Sequence, residues 1–361
     1  MRPVAAPYGK FSERGLVKPE ALLSKIRNAR TAEALSKKAN FGLSANTHES
    51  YKTAINHIRR CEEETLVDMS LPFDEKKTLE FLGWMEARGL KSRSMSTYIS
   101  GVRAYHIASG YKDPFMRDPM VKLILKGQDN WDKIQAKLEG KNGKLPITKN
   151  MMKLMKQNLI KVNWPICEKR LFWAIATVAW SGSFRIHELC SRKAKEFDEQ
   201  TTLLWGDLTL GELKLGRKSV KSIGIHVKSP KIDRIGAGDN IEVFQLDNFL
   251  CPIAALARYG EETKLEQEPG MPVFRLESVV CMTGVEVNKR EAVLTSDVSD
   301  LVPGGVVTCH SWRSGVPSEM ARAGMDPEFI QAVGRWKSDA YKTYVKLPFT
   351  RRAEMARNMG M

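Results

Sequence analysis

Three short stretches concentrate residues able to handle a phosphate. Ser181-Gly182-Ser183-Phe184-Arg185-Ile186-His187-Glu188-Leu189 places an arginine just after an apolar segment and a Ser/Gly turn. Glu188, three residues on, shares a helical face with Arg185 and can orient its guanidinium. Thr308-Cys309-His310-Ser311-Trp312-Arg313 opens a helix with His310 and Arg313 one turn apart, where free backbone N–H groups suit an anion. Val333-Gly334-Arg335-Trp336-Lys337-Ser338-Asp339-Ala340-Tyr341-Lys342-Thr343-Tyr344 adds an indole and two phenols. Two arginines, a histidine, an indole donor and a tyrosine are what metal-free phosphoryl transfer to a phenol requires. The guanidiniums bind the non-bridging oxygens bidentately, and the phenol oxygen attacks.

Taken singly, each residue has a plainer use. An arginine after a buried helix is commonly a surface ion pair, and His-x-x-Arg is commonplace. Trp336 and Tyr341 suit a core or its rim. Tyr341 and Tyr344 share a helical face, so one of them is expected to pack. Other chemistries find less support. Gly211 to Ser219 imitates a phosphate loop, but Arg217 intrudes between the second glycine and the lysine, and the stretch lies between predicted strands. The six histidines are isolated, and the six cysteines lack CxxC or framework spacing, so they read as reduced core thiols. Neither a metal site nor a cofactor is expected.

The elements that must position these residues fall into two groups. Residues 1–44 read as an arm with a short helical stretch around Pro19–Lys38. A helical domain follows over 45–139. Asn46 and Glu49 have capping-box spacing before the stripe Tyr51, Ala54, Ile55, Ile58. Asp74 caps a second helix with Leu79, Leu82 and Met85 inward. Ser94 starts a third with Met95, Tyr98, Ile99, Val102 and Tyr105, and a fourth begins near Asp118-Pro119. Residues 140–147 form a linker whose lysines, Lys141 and Lys144, could lie against phosphates. From 148 to 349 the pattern is mixed: Thr148 caps a helix, Leu171–Trp180 is a buried helix, and Thr201–Leu208, Ser222–Val227 and Ile241–Leu246 read as strands. The expected fold is mainly α with a small antiparallel β-sheet, an all-α domain followed by an α+β domain. The tail, 350–361, follows Pro348 and offers a small apolar face.

In family order, R…HxxR…W…Y, the motif residues resemble the tyrosine recombinase family of lambda-integrase type. The segment ARAGMDPEFIQAVGRW is similar to the stretch between that family's second arginine and its tyrosine. The ending GRWKSDAYKTY is most similar to recombinases of DIRS-like and Crypton-like mobile elements. The resemblance spans residues 45–350, weakly in the helical domain and strongly beyond it.

The resemblance implies a DNA-cutting and rejoining enzyme that closes around double-stranded DNA. Tyr344 is its nucleophile, giving a 3′-phosphotyrosyl bond and a free 5′-hydroxyl without metal or ATP. Arg185 and Arg313 match the catalytic arginines, His310 the histidine, Trp336 the His/Trp position and Glu188 the acidic support. The hairpin SIGIHVKSPKIDRIG carries the general-acid lysine, Lys231 in preference to Lys228. The step from Trp336 to Tyr344 is shorter than in many relatives, which leaves Tyr341 open as a rival. The implied assembly is a monomer in free solution and a homotetramer on paired sites, joined through the tail. A type IB topoisomerase and a catalytically silent, domesticated DNA-binding protein are the alternatives.

Charge agrees with a polyanionic partner. Lys and Arg number 57 against 42 Asp and Glu, net +15, and residues 1–150 hold 27 basic and 17 acidic residues, net +10. Lys91, Arg93 and Arg103 join Lys141 and Lys144 as candidate DNA contacts. The longest apolar run, ten residues broken by Thr177, is about half a membrane span. With no signal core at the N-terminus, the chain reads as intracellular, nuclear in a eukaryotic host and otherwise in the cytoplasm or nucleoid.

Overall fold

The structure, a computed structural model, describes residues 22–23, 25–43, 45–115, 118–140, 142–216, 218–228, 238–276, 280–296, 305–336 and 339–343. The chain divides into two compact units, with the division between Glu139 and Gly140. Residues 1–21, Lys141, Lys231 and everything from Tyr344 onward, which the sequence analysis reads, lie outside the described residues.

The first unit is helical: α1 (Ala29–Phe41), α2 (Ala45–Thr65), α3 (Glu75–Ala87), α4 (Ser92–Ala108) and α5 (Pro119–Leu138). Asp74 and Asp118 act as the expected caps, accepting from the backbone N–H of Lys77 (2.8 Å) and of Met120 (2.9 Å). Helix α2 begins at Ala45, before the Asn46 of the expected capping box. Ser94 does not start α4. The helix begins at Ser92, whose N–H donates to the Asp132 carboxylate of α5 at 2.7 Å. A cap borrowed from 40 residues away leaves no local signature. The stripes meet as expected, with Ile58, Leu82, Met85, Met95, Ile99 and Val102 in one core.

The second unit holds β1 (Asn142–Lys144), α6 (Lys149–Lys161), α7 (Ile166–Ser181), α8 (Ile186–Leu189), β2 (Leu208–Leu215), β3 (Lys218–Val227), β4 (Asp239–Phe244), α9 (Pro252–Thr263), α10 (Gly284–Leu294), β5 (Gly305–Val306), α11 (Ser311–Arg322) and α12 (Pro327–Val333). Helix α7 runs through its centre. Every residue from Leu171 to Trp180 is buried, and α9 and α11 pack against it. Each large apolar side chain so buried contributes about 1.5–3 kcal/mol. The sheet is antiparallel in the order β2-β3-β4, with Ile223 opposite Val243 and Ile225 opposite Ile241 on the buried face.

Two segments depart from the sequence reading. Residues 201–207 are not a strand. The Asp198 carboxylate takes the Gln200 N–H and the Thr201 hydroxyl, and the Asp207 carboxylate takes the Leu204 N–H, so the chain turns into a short 3-10 helix, Trp205–Asp207. The strand comes next, through the phosphate-loop look-alike, which forms the β2–β3 hairpin with Gly216 at φ +62° in its turn. The linker is not all loop either: β1 pairs in parallel with β5.

A buried acid in α10 gives a stability prediction. Glu291 is 2% exposed, and burial pushes its carboxyl up to about 7, although Thr295 donates to it at 3.0 Å. A raised folded value means its stabilising contribution is complete below the unfolded carboxylate range and is lost as pH rises toward the folded value. Glu291→Gln is therefore expected to stabilise the fold by on the order of 2 kcal/mol at mildly alkaline pH, and by little in acid. Urea melts at the two pH values check this.

Candidate active site

The site begins where α7 ends. The Gly182 N–H bonds back to Val178, and Ser183 then takes a left-handed conformation, φ +50°. The Phe184 ring folds over Gly182, where an added Cβ would lie 2.1 Å from a ring carbon, so only glycine fits beneath it. This turn sets Arg185 at the head of α8. Glu188 bonds Arg185 twice, taking its backbone N–H on Oε2 (2.9 Å) and its Nη1 on Oε1 (2.6 Å).

From another direction, α11 delivers Arg313. This side chain is 2% exposed, and its Nη1 stands 3.9 Å from Glu188 Oε1. His310 is the N-cap residue of the same helix, partly buried at the end where backbone N–H groups converge.

The turn after α12 repeats the first one. Gly334 lies under the Trp336 ring, where a Cβ would come within 1.7 Å, and Arg335 between them has φ +54°. The Arg335 Nη2 donates to Glu188 Oε2 at 2.8 Å and to the Ser183 carbonyl at 3.2 Å. The Trp336 ring lies 5.7 Å from the Arg313 guanidinium and 6.2 Å from the Tyr341 ring. Tyr341 is buried with Ala321 and Ile330.

Three guanidiniums thus surround one carboxylate with no solvent exposure. Burial opposes ionisation of Glu188, but Arg335 and Arg185 beside it hold its carboxyl below the ordinary range. Such a cluster is built to receive an anion with several acceptor oxygens. Among the described residues, no group of three His, Cys, Asp or Glu could hold a metal ion.

Solved structures share the fold of the chain. The XerH site-specific recombinase bound to palindromic difH substrate superposes with a TM-score of 0.59 at 12% identity, over 96% of this chain and 91% of that one. A lambda integrase dimer bound to a COC' core site gives 0.53 at 18%, over 84% and 90%. The Tn1549 transposon integrase in complex with circular intermediate DNA gives 0.52 at 18%, over 87% and 94%. The chain has the tyrosine recombinase fold. No protein-family model and no curated protein matches the sequence.

Within this tyrosine recombinase fold, Arg185, Glu188, Arg313 and Trp336 come together, with His310 at the head of the helix that carries Arg313. Lys231 and Tyr344 lie outside the described residues. Lys228, the rival lysine, is held by the Asp207 carboxylate (2.7 Å) and by the carbonyls of Glu199 (2.7 Å) and Thr202 (3.2 Å). In the first unit Arg93 and Arg103 are exposed on α4 and Lys91 just before it; Lys91 stands 3.6 Å from Asp132, and Arg103 pairs with Asp113 at 2.6 Å. Lys144 is exposed on β1. Sequence reasoning gave Arg335 no role. The signal was there: Gly182-Ser183-Phe184 and Gly334-Arg335-Trp336 are the same glycine, left-handed residue and aromatic in succession.

No helix among the described residues is long and apolar enough to cross a membrane.

Proposed function

We propose that the protein is a site-specific DNA recombinase or transposase that cuts and rejoins duplex DNA through a 3′-phosphotyrosyl intermediate. The observation that carries this reading is the convergence of Arg185 and Arg313 on buried Glu188 within a tyrosine recombinase fold. Tyr344 gives up its phenolic proton to water, the phenolate oxygen bonds the scissile phosphorus, the bond to the 5′ oxygen breaks, and Lys231 gives that oxygen its proton. Arg185, Arg313, His310 and Trp336 stabilise charge on the pentacoordinate state. A partner strand's 5′-hydroxyl then reverses the step, so the bond energy stays in the phosphotyrosine, and the chemistry runs without ATP or metal. Burial of Tyr341 supports Tyr344 as the nucleophile, and the engagement of Lys228 with Asp207 supports Lys231 as the acid.

Residues 45–139 and 148–349 are read as core-binding and catalytic domains joined by the 140–147 linker. The arm, 1–44, and the tail, 350–361, flank them. The protein is proposed to be a monomer in solution and a tetramer on paired sites. A nicked duplex carrying the repeats that flank the gene tests the chemistry, with the covalent adduct read on a denaturing gel. The adduct should form equally with EDTA present, whereas cleavage restored only by magnesium would contradict the metal-free mechanism. Relaxation of supercoils by a lone monomer would favour a topoisomerase instead.

Binding gives an independent check. Ser92, Arg93, Ser96, Thr97 and Ser100 line an open groove of α4 with Leu125 and Asp129; the Thr97 and Ser100 hydroxyls donate back to their own helix, so the exposed Arg93 guanidinium is the group that suits a DNA phosphate. DNA affinity should fall steeply with salt, each neutralised phosphate adding about −0.9 to the log–log slope. Arg93→Ala should weaken binding alike on all sequences and lower the slope by about 1. Fluorescence anisotropy over a salt series reads both.

A further inference from the structure

Arg335 ties together the separate segments of the site. Its Nη2 bonds the Ser183 carbonyl and Glu188, fixing the turn that carries Arg185. Its own carbonyl accepts from Arg313 Nη2 at 3.2 Å, fixing the head of α11. Its Nη1 stands 3.6 Å from Asp239, the first residue of β4, which follows closely on the segment bearing Lys231. The Phe184 ring lies 5.2 Å from its guanidinium. Two of the few non-glycine residues held at positive φ, Ser183 and Arg335, meet in this one hydrogen bond.

The charge balance points the same way. Arg185, Arg313 and Arg335 bring three positive charges to the one negative charge of Glu188, with Asp239 half-exposed at the rim. A buried excess of positive charge is costly unless an anion answers it. A phosphodiester carries a single negative charge, and attack by a phenolate raises it to two in the pentacoordinate state. The buried part of the cluster, three guanidiniums and Glu188, carries a net charge of two and therefore favours the transition state over the bound substrate.

We propose that Arg335 is a positioning residue of the cleavage reaction, holding Glu188, Arg185 and Arg313 in one fixed constellation around the scissile phosphate. The proposal rests on the recombinase reading. Glu188 faces Arg185 from its own turn, Arg313 from α11 and Arg335 from the turn after α12. A small cavity beside it is lined by His187, Arg192, His226 and Lys228. Of the groups that hold the Glu188 carboxyl ionised against burial, Arg335 acts most strongly. Its loss should move acid inactivation to higher pH.

Single-turnover cleavage of the nicked duplex by full-length Arg335→Ala, Arg335→Gln and Arg335→Lys tests this, with wild type and Arg185→Ala alongside. Melting curves and DNA affinity are measured for each. Misplaced guanidiniums should slow Arg335→Ala by about 30-fold or more, with wild-type DNA affinity. Arg335→Lys, which keeps the charge, should recover part of the rate. Arg335→Gln, which loses the charge, should lose activity at a higher pH than wild type on the acid side. Wild-type rate and acid limb in Arg335→Ala or Arg335→Gln, with Arg185→Ala inactive, overturns the role of Arg335 alone. If Arg335→Ala unfolds, Arg335→Lys and Arg335→Gln decide: equal rates and equal acid limbs in the two overturn the proposal. Absence of any adduct from wild type that binds the duplex overturns the recombinase reading, and the proposal with it.

Discussion

Tyr344→Phe is expected to form no covalent adduct with the nicked duplex and to bind that duplex with wild-type affinity. The substitution removes one phenolic oxygen and nothing else, and the proposed reaction takes that oxygen as its nucleophile. Tyr341→Phe should still form the adduct. Tyr341 is 7% exposed and packs with Ala321, Ile330 and the Trp336 ring, so its ring serves the small core beneath the site. Denaturing gels separate the two outcomes, and an inactive Tyr341→Phe beside an active Tyr344→Phe would exchange the assignments.

Glu188→Gln is expected to cost about 3–5 kcal/mol of stability, because removing one partner of a buried ionic cluster leaves the other charges uncompensated. Here the partners left behind are Arg185 and Arg335, each about 14% exposed or less, and Arg313 at 2%. The sign with pH follows from the depressed carboxyl. Its contribution is complete above the unfolded carboxylate value and is lost as pH falls through the lower folded value. The gap between wild type and Glu188→Gln should thus be widest near neutrality and close in acid. Thermal melts of both proteins across that range measure it, and a gap that widens in acid would contradict the arrangement.

The helical framework was legible because its signals are local. Asp74, Asp118 and Thr148 cap the helices they precede, and the i, i+3, i+4 stripes lead to the observed cores. The Arg185–Glu188 pair was legible for the same reason, since three residues on one helical turn suffice. What escaped depends on distant partners or on missing periodicity. Strand β2 leaves Leu210 83% exposed and Leu213 44% exposed, so no buried alternation marks it. Residues 201–207 carry apolar side chains like a strand, but the Asp198 and Asp207 carboxylates capture the backbone first. The start of α4 depends on Asp132, and the role of Arg335 depends on Ser183 and Glu188, 152 and 147 residues away.

Tyr344 is proposed to be the phenol that takes the DNA. Trypsin makes this directly testable, because Lys342 separates the rivals: Tyr341 falls in the peptide ending at Lys342, and Tyr344 in Thr343-Tyr344-Val345-Lys346. The adduct trapped on the nicked duplex is digested with nuclease and trypsin and read by mass spectrometry. The account predicts a nucleotide phosphate on the Thr343–Lys346 peptide; its appearance on the Tyr341 peptide, or no modified peptide from protein that binds the duplex, would contradict it.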